Sequence, residues 1–158
     1  MNKPAHPVAA KPVNYPAYDE DGYGWAMAQA AIIRAGRLDS IDWENVAEEI
    51  ESMGKQERSE YISHMIRVMH HLIKWDAQPE RRGMSWWLSI MNGRTDSERV
   101  LNDNPSLKPL LEEMHAEALK YARRKAVTET GLDHKLIEAI AVSREDALNR
   151  SIPRPEQD

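Results

Sequence analysis

Apolar residues recur along most of the chain at the three- and four-residue spacing that lines one face of a helix. The first such stretch contains Trp25, Ala28, Ala31, Ile32 and Ala35. The carboxylates at residues 19–21 favour a helix start, where negative charge meets the positive end of the helix dipole. Gly36 favours a helix end, because glycine readily adopts the left-handed conformation there. The pattern predicts a first helix between about Asp19 and Ala35.

A second and a third stripe follow, separated by Gly54. Ser40 or Asp42 is positioned to cap the second helix, whose apolar positions are Trp43, Val46, Ala47, Ile50 and Met53. Gly54 is expected to end this helix in a left-handed turn. The next stripe is the most regular in the chain and holds Ile62, Met65, Ile66, Met69, Leu72 and Ile73, before Pro79 closes it. Ile66 and Met69 are predicted to be core residues.

The remaining segments also have helical spacing. Ser85 is expected to cap a helix that Gly93 interrupts, and Ser106 to start one that Gly131 ends. A last helical segment is predicted from Asp133 to about Asn149. No segment alternates apolar and polar residues with the period of two that is typical of strands. The pattern predicts an all-α bundle of about five to six helices, mostly antiparallel because the connections are short.

The two ends of the chain lack this periodicity. Residues 1–18 carry four prolines and are predicted to form an extended arm, and residues 151–158 an irregular tail. The predicted organisation is therefore an arm (1–18), one helical bundle domain (19–150) and a tail (151–158). A chain of 158 residues is long enough for one such domain with a real core.

Composition excludes several classes of function. The chain has no cysteine, which excludes disulfides, thiolate metal sites and a cysteine nucleophile and fits a cytoplasmic protein. No run approaches the roughly 18 apolar residues of a membrane span, so we expect no membrane association. The net charge of −5 argues against general nucleic-acid binding, which needs a basic surface.

Several short segments, taken in order, resemble a known family. The resemblance rests on residues 43–54, 71–75, 78–82, 85–86, 106–107, 110–113 and 128–132, which read WENVAEEIESMG, HLIKW, QPERR, SW, SL, LLEE and TETGL. Together they are similar to the bacterial domain-of-unknown-function family 29, which is frequent in cyanobacteria, over roughly Tyr18 to Leu132. The resemblance implies an α-helical bundle in a bacterial cytoplasm and implies no activity.

A metal-dependent hydrolase is the weakest of the chemical readings. Metal-binding bundles need paired Glu-x-x-His motifs, and Glu112 with His115 gives one unpaired example. If the chain turned at Gly54, Glu44 would lie level with His64 across a helical hairpin. Glu44, Glu48 and His64 are therefore the alternative metal or acid–base set. Charged residues at this spacing are more often the solvent-exposed face of a helix than a metal site, so we expect no metal and no cofactor.

Basic and aromatic residues concentrate at the junction between the third stripe and the next helix. They are His71, Lys74, Trp75, Arg81, Arg82 and Trp86. Arginine grips phosphate and tryptophan stacks on bases, so this junction is a candidate site for an anion or a nucleotide. The structural alternative is that Trp75 and Trp86 close the end of the core, while Lys74 and Arg82 cap helix carbonyls.

Three functions of different classes remain after this survey. The first is a non-catalytic bundle that binds a protein partner or forms a homo-oligomer. The second is the anion or nucleotide site at the junction, and the third is the metal-assisted hydrolase. We favour the first, because the spacing that catalytic sites require is missing and helical bundles often serve as interaction modules.

Overall fold

The computed structural model describes residues 14–156, which form six α-helices and no strand. The helices are α1 (Gly22–Arg34), α2 (Trp43–Ala77), α3 (Met84–Asp103), α4 (Leu111–Thr130), α5 (His134–Ala139) and α6 (Arg144–Asn149). Short 3-10 turns precede α2, α3 and α4. None of the helices in this range is long and apolar enough to cross a membrane. The predicted all-α fold class is confirmed.

Internal contacts divide the chain into two compact units. The N-terminal unit ends at Met53 and the C-terminal unit begins at Gly54. The predicted domain limits at residues 18 and 150 stay predictions, and residues 1–13 and 157–158 lie outside the described residues. The described end of the predicted tail is irregular but attached, since the Ile152 carbonyl accepts a hydrogen bond from Trp87 Nε1 at 3.1 Å.

The predicted limits of the first helix are confirmed by its caps. The Asp21 side chain accepts a hydrogen bond from the Gly24 amide at 2.8 Å at the start of α1. Gly36, just beyond its end, has a φ of 68°, a left-handed conformation that favours glycine. Asp42 caps α2 as predicted, with its carboxylate facing the Asn45 amide at 3.4 Å.

The predicted turn at Gly54 is wrong. Helix α2 runs without a break over 35 residues, and Gly54 lies inside it. A glycine in a helix interior costs only about 1 kcal/mol, and the flanking residues are good helix formers. Positive φ, which a left-handed helix end requires, is confined among the described glycines to Gly36 and Gly131.

Gly93 does not interrupt a helix either. Helix α3 passes straight through it, and the reason for a glycine there is the neighbouring helix. A Cβ atom placed on Gly93 would lie 2.6 Å from Val68 Cγ2 and 3.2 Å from the His64 carbonyl oxygen. The predicted cap is also wrong, because Gly83 precedes α3 and Ser85 lies within its first turn.

The predicted helix from Asp133 to Asn149 is two short helices. Ser143 and Asp146 form a capping box, in which each side chain bonds the other residue's backbone amide. This box starts α6 afresh after an extended break that follows Ile140. The prediction failed because a serine three residues before an acidic residue is a start signal, which the apolar spacing alone does not reveal.

The core of the C-terminal unit forms on the predicted stripes. Met69 and Leu72 of α2, Ile90 of α3 and Met114 of α4 are fully buried. Ile66 is only partly buried and packs against the edge of this core, so the prediction for it holds in part. Helix α4 supplies alanines at every fourth position, at residues 118, 122 and 126, and all three are fully buried.

Candidate functional site

The predicted junction forms two cation–aromatic pairs. Lys74 Nζ lies 4.5 Å from the Trp86 ring centroid, and it donates a hydrogen bond to Glu129 Oε2 at 2.9 Å. Arg82 lies over the Trp75 ring at 5.4 Å, and its Nε donates to the Trp75 carbonyl oxygen at 2.7 Å. Arg82 thus caps the end of α2, as the structural alternative expects.

The other predicted members of the junction have different surroundings. The His71 Nδ1 donates to the Arg67 carbonyl oxygen at 2.8 Å, one turn back on the same helix. Arg81 is exposed in the 3-10 turn before α3. An anion at this junction would compete with Glu129 for Lys74 and with a helix carbonyl for Arg82. Glu129 itself was missed, because it comes from α4 and no spacing in the sequence connects it to Lys74.

His70 forms a buried titratable cluster with the same glutamate. The ring is 1% exposed, and its Nε2 lies 3.0 Å from Glu129 Oε2 without hydrogen-bond geometry. Burial, together with the charges of His71, Lys74 and Lys125, lowers the pKa of His70 to about 4, against the opposing effect of Glu129. The arrangement therefore holds a neutral imidazole inside the fold.

The alternative metal set is not brought together. Glu44, Glu48 and His64 all lie on α2, and the hairpin that would have placed Glu44 opposite His64 does not form. His64 instead lies beside Arg67 and Glu60 of its own helix, at 3.0 Å and 3.4 Å, and its Nδ1 is 3.8 Å from the Asp96 carboxylate of α3. Over residues 14–156 no three histidine, aspartate or glutamate side chains are grouped so that they could hold a metal ion.

The N-terminal unit contains a groove that the sequence did not predict. It lies between α1 and the first turns of α2 and has a volume of about 630 Å³. Its lining is mostly apolar, with Tyr18, Gln29 and Glu49 as the polar members, and consists of Tyr18, Gly22, Trp25, Ala26, Gln29, Ala30, Ile33, Val46, Glu49, Ile50 and Met53. We call these residues the N-terminal groove.

A polar cluster holds α1 against the start of α2. Asp42 Oδ2 accepts hydrogen bonds from Trp25 Nε1 at 3.1 Å and from Asn45 Nδ2 at 2.7 Å. The hydrogen bond from the Asn45 side chain keeps the pKa of Asp42 below its usual value. The Asp42 amide in turn donates to Gln29 Oε1 at 2.9 Å. One capping residue thus positions both helices of the groove.

Gln29 leaves one donor unused in the lining of the groove. The residue is 2% exposed, and its Nε2 has no hydrogen-bond partner among residues 14–156. Because Gln29 Oε1 accepts from the Asp42 amide, the NH₂ group is the part that stays unpaired. A buried donor without an acceptor costs about 1–3 kcal/mol.

Exposed apolar residues concentrate in the same unit. Eleven large apolar side chains in the described chain are exposed, and seven belong to the 40 residues from 14 to 53. These seven are Tyr23, Met27, Ile33, Leu38, Trp43, Ile50 and Met53. The stripe predicted from Trp43 to Met53 is therefore present but uncovered, since Ile50 and Met53 are 65% and 67% exposed.

Comparison with known proteins agrees with the resemblance in the sequence. The family described as "Domain of unknown function DUF29" matches residues 17–152, which extends beyond the Leu132 limit expected from the motifs. Neither the curated proteins nor the solved structures contain a significant match. The matched range includes all six helices and the whole of the N-terminal groove. The chain belongs to the DUF29 family.

Proposed function

We propose that this chain is a non-catalytic protein-binding module of the bacterial cytoplasm and that the N-terminal groove receives its partner. The observation that carries the proposal is the uncovered apolar stripe of α2 beside the groove. Contiguous exposed apolar surface is uncommon on monomeric proteins and usually marks an interaction site. The cysteine-free composition fits a reducing compartment.

The exposed side chains of the groove offer useful binding energy. Ile33, Ile50 and Met53 are 45%, 65% and 67% exposed. Full burial of such a side chain is worth about 1.5–3 kcal/mol, so covering the remaining area of all three contributes about 3–5 kcal/mol. This gain must exceed the cost of association, so we expect the partner to contact further exposed residues of the unit, such as Met27.

A retention experiment with matched variants tests this function. Immobilised full-length protein, its Ile50→Asp variant and its Leu136→Asp variant are exposed to an extract of the organism that encodes the chain. Both substitutions place a carboxylate on an exposed helix position, but Leu136 belongs to the C-terminal unit. Circular dichroism checks that both variants remain folded.

We expect a protein that wild type and Leu136→Asp retain and that Ile50→Asp loses. The same protein, once purified, should bind the wild-type chain directly. Retention that Ile50→Asp leaves unchanged, or no retention by wild type, would contradict the proposal.

The junction is less well supported as an anion site. Lys74 and Arg82 already have partners within the chain, which an anion would have to displace. The exposed apolar lining of the groove can be covered by a partner without any such displacement.

A further inference from the structure

Acidic residues are strongly concentrated in the N-terminal unit. Residues 14–53 contain nine carboxylates and two arginines, a formal charge of −7. Residues 54–156 contain 17 basic and 16 acidic side chains, a formal charge of +1. The unit that contains the groove therefore carries the negative charge of the described chain.

Part of this negative charge lies beside Tyr18 in the groove. Glu49 lines the groove and accepts a hydrogen bond from the Tyr18 hydroxyl. That bond, burial and the charges of Glu49 and Glu48 together raise the pKa of Tyr18 to about 12. Asp19 and Glu20 follow Tyr18 directly and are exposed. A ligand whose chain leaves the groove at this end meets several carboxylates.

The apolar lining and the unpaired donor specify the rest of the ligand. Ile33, Ile50 and Met53 require apolar side chains opposite them. A Gln29 amide that turned toward the groove would donate its unpaired N–H to a peptide carbonyl or an amide side chain of such a ligand. These are features of a polypeptide segment.

We infer that the groove binds a basic, apolar segment of a partner protein, with apolar side chains against α1 and α2 and Lys or Arg at the end marked by Tyr18. The inference rests on the proposed function and names the class of partner. It also decides against a second copy, because joining two grooves would bring together two acidic segments, each with a formal charge of −7 over residues 14–53.

Three model peptides test the charge preference. They share the same leucine positions on a helix and carry Lys, Gln or Glu at all polar positions. Fluorescence anisotropy measures the Kd of each for the full-length chain at 0.05 M and 0.5 M NaCl. We expect the order Lys, then Gln, then Glu from tightest to weakest at low salt. The differences should shrink at high salt, because the Debye length falls from above about 10 Å to a few ångström.

Matched variants locate the effect. The double variant Glu20→Gln/Glu48→Gln neutralises two carboxylates near Tyr18. The control variant Glu80→Gln/Glu98→Gln neutralises two exposed carboxylates of the C-terminal unit. The first variant should weaken binding of the Lys peptide by roughly 2- to 30-fold, since exposed ion pairs contribute modestly. It should leave binding of the Gln peptide nearly unchanged. The second variant should bind all three peptides as wild type does.

The other outcomes separate the inference from the function beneath it. Equal binding of the three peptides, abolished by Ile50→Asp, would overturn the basic partner and leave the groove as a binding site. Lys-peptide binding that Ile50→Asp leaves intact would place the contact elsewhere and overturn the inference.

Two results would overturn the inference in other ways. If none of the three peptides bound, the inference would be overturned. The proposed protein-binding function would still be tested separately by the retention experiment. If peptides bound only after removal of residues 1–13, which include Lys3 and Lys11, the occupant would be the chain's own segment rather than a partner.

Discussion

Asp42→Ala is expected to release α1 from α2 and thereby dismantle the groove. The substitution removes the cap of α2, which is worth about 1 kcal/mol. It also leaves Trp25 Nε1 without its acceptor at a residue that is 3% exposed, which costs about 1–3 kcal/mol. The N-terminal unit should therefore lose about 2–4 kcal/mol of stability against local opening. Asp42→Asn is the matched control, because its amide oxygen can still accept from Trp25.

Native-state hydrogen exchange measures this loss directly. Exchange of the α1 amides should accelerate by roughly 30- to 700-fold in Asp42→Ala, as 1.4 kcal/mol corresponds to a factor of ten. In Asp42→Asn the acceleration should stay within about tenfold. Amides of α4 serve as an internal reference, because they belong to the C-terminal unit. If α1 exchanged equally in the two variants, Asp42 would not be the residue that holds the helices together.

Three further changes have defined outcomes. Gly93→Ala should destabilise the C-terminal unit by about 1–3 kcal/mol in urea unfolding, because the added methyl group would clash with Val68. In a double-mutant cycle, Val68→Ala should reduce that penalty. If the effects of the two substitutions simply added, the contact between the two positions would be refuted. As the pH drops from 6.5 to 4, His70 should contribute a stability loss of up to about 3 kcal/mol, because the unfolded chain then binds a proton that the buried His70 does not. The lowered pKa values of His71 and His115 act in the same direction. His70→Gln should therefore reduce the slope without abolishing it, and His134→Gln, at an exposed position, should leave it unchanged. Arg82→Ala should lower the free energy of unfolding by about 1 kcal/mol without changing any response to phosphate; a phosphate-dependent rise in the wild-type Tm that this variant loses would restore the junction as an anion site.

Helix starts and ends that are set by residues within one turn were predictable from the sequence. Asp21 and Asp42 are capping residues next to apolar stripes, and Gly36 and Gly131 end helices with positive φ. These signals act within a turn of helix, so spacing reveals them. The fold class and the family followed from the same local patterns.

Two of the failures concern contacts between elements that are distant in the sequence, and others, such as the helix start at Ser143, concern local signals that the apolar spacing alone does not show. Gly93 was taken for an interruption because its real reason, the approach of Val68, comes from another helix. Gly54 was taken for a turn because a glycine followed by a fresh stripe also fits a hairpin. Glu129 contacts Lys74 although the two residues are 55 positions apart in the sequence, and no local spacing predicts such a contact.

The candidate site illustrates the same limit. An amphipathic stripe shows which face of α2 is apolar, but it does not show whether another element covers that face. Ile50 and Met53 fit a buried position as well as an uncovered one, and only the fold distinguishes them. The unpaired NH₂ group of Gln29 likewise cannot be predicted from the sequence, because it depends on the hydrogen bond between the Asp42 amide and Gln29 Oε1.

The most direct test of the partner-binding groove is an NMR titration of the full-length ¹⁵N-labelled chain with the Lys model peptide. The account predicts shifts of the Ala26, Ala30 and Ile50 amides and of the side-chain NH₂ signal of Gln29, all saturating with one Kd. Shifts confined to the junction around Lys74, or no shifts at peptide concentrations far above micromolar, would contradict it.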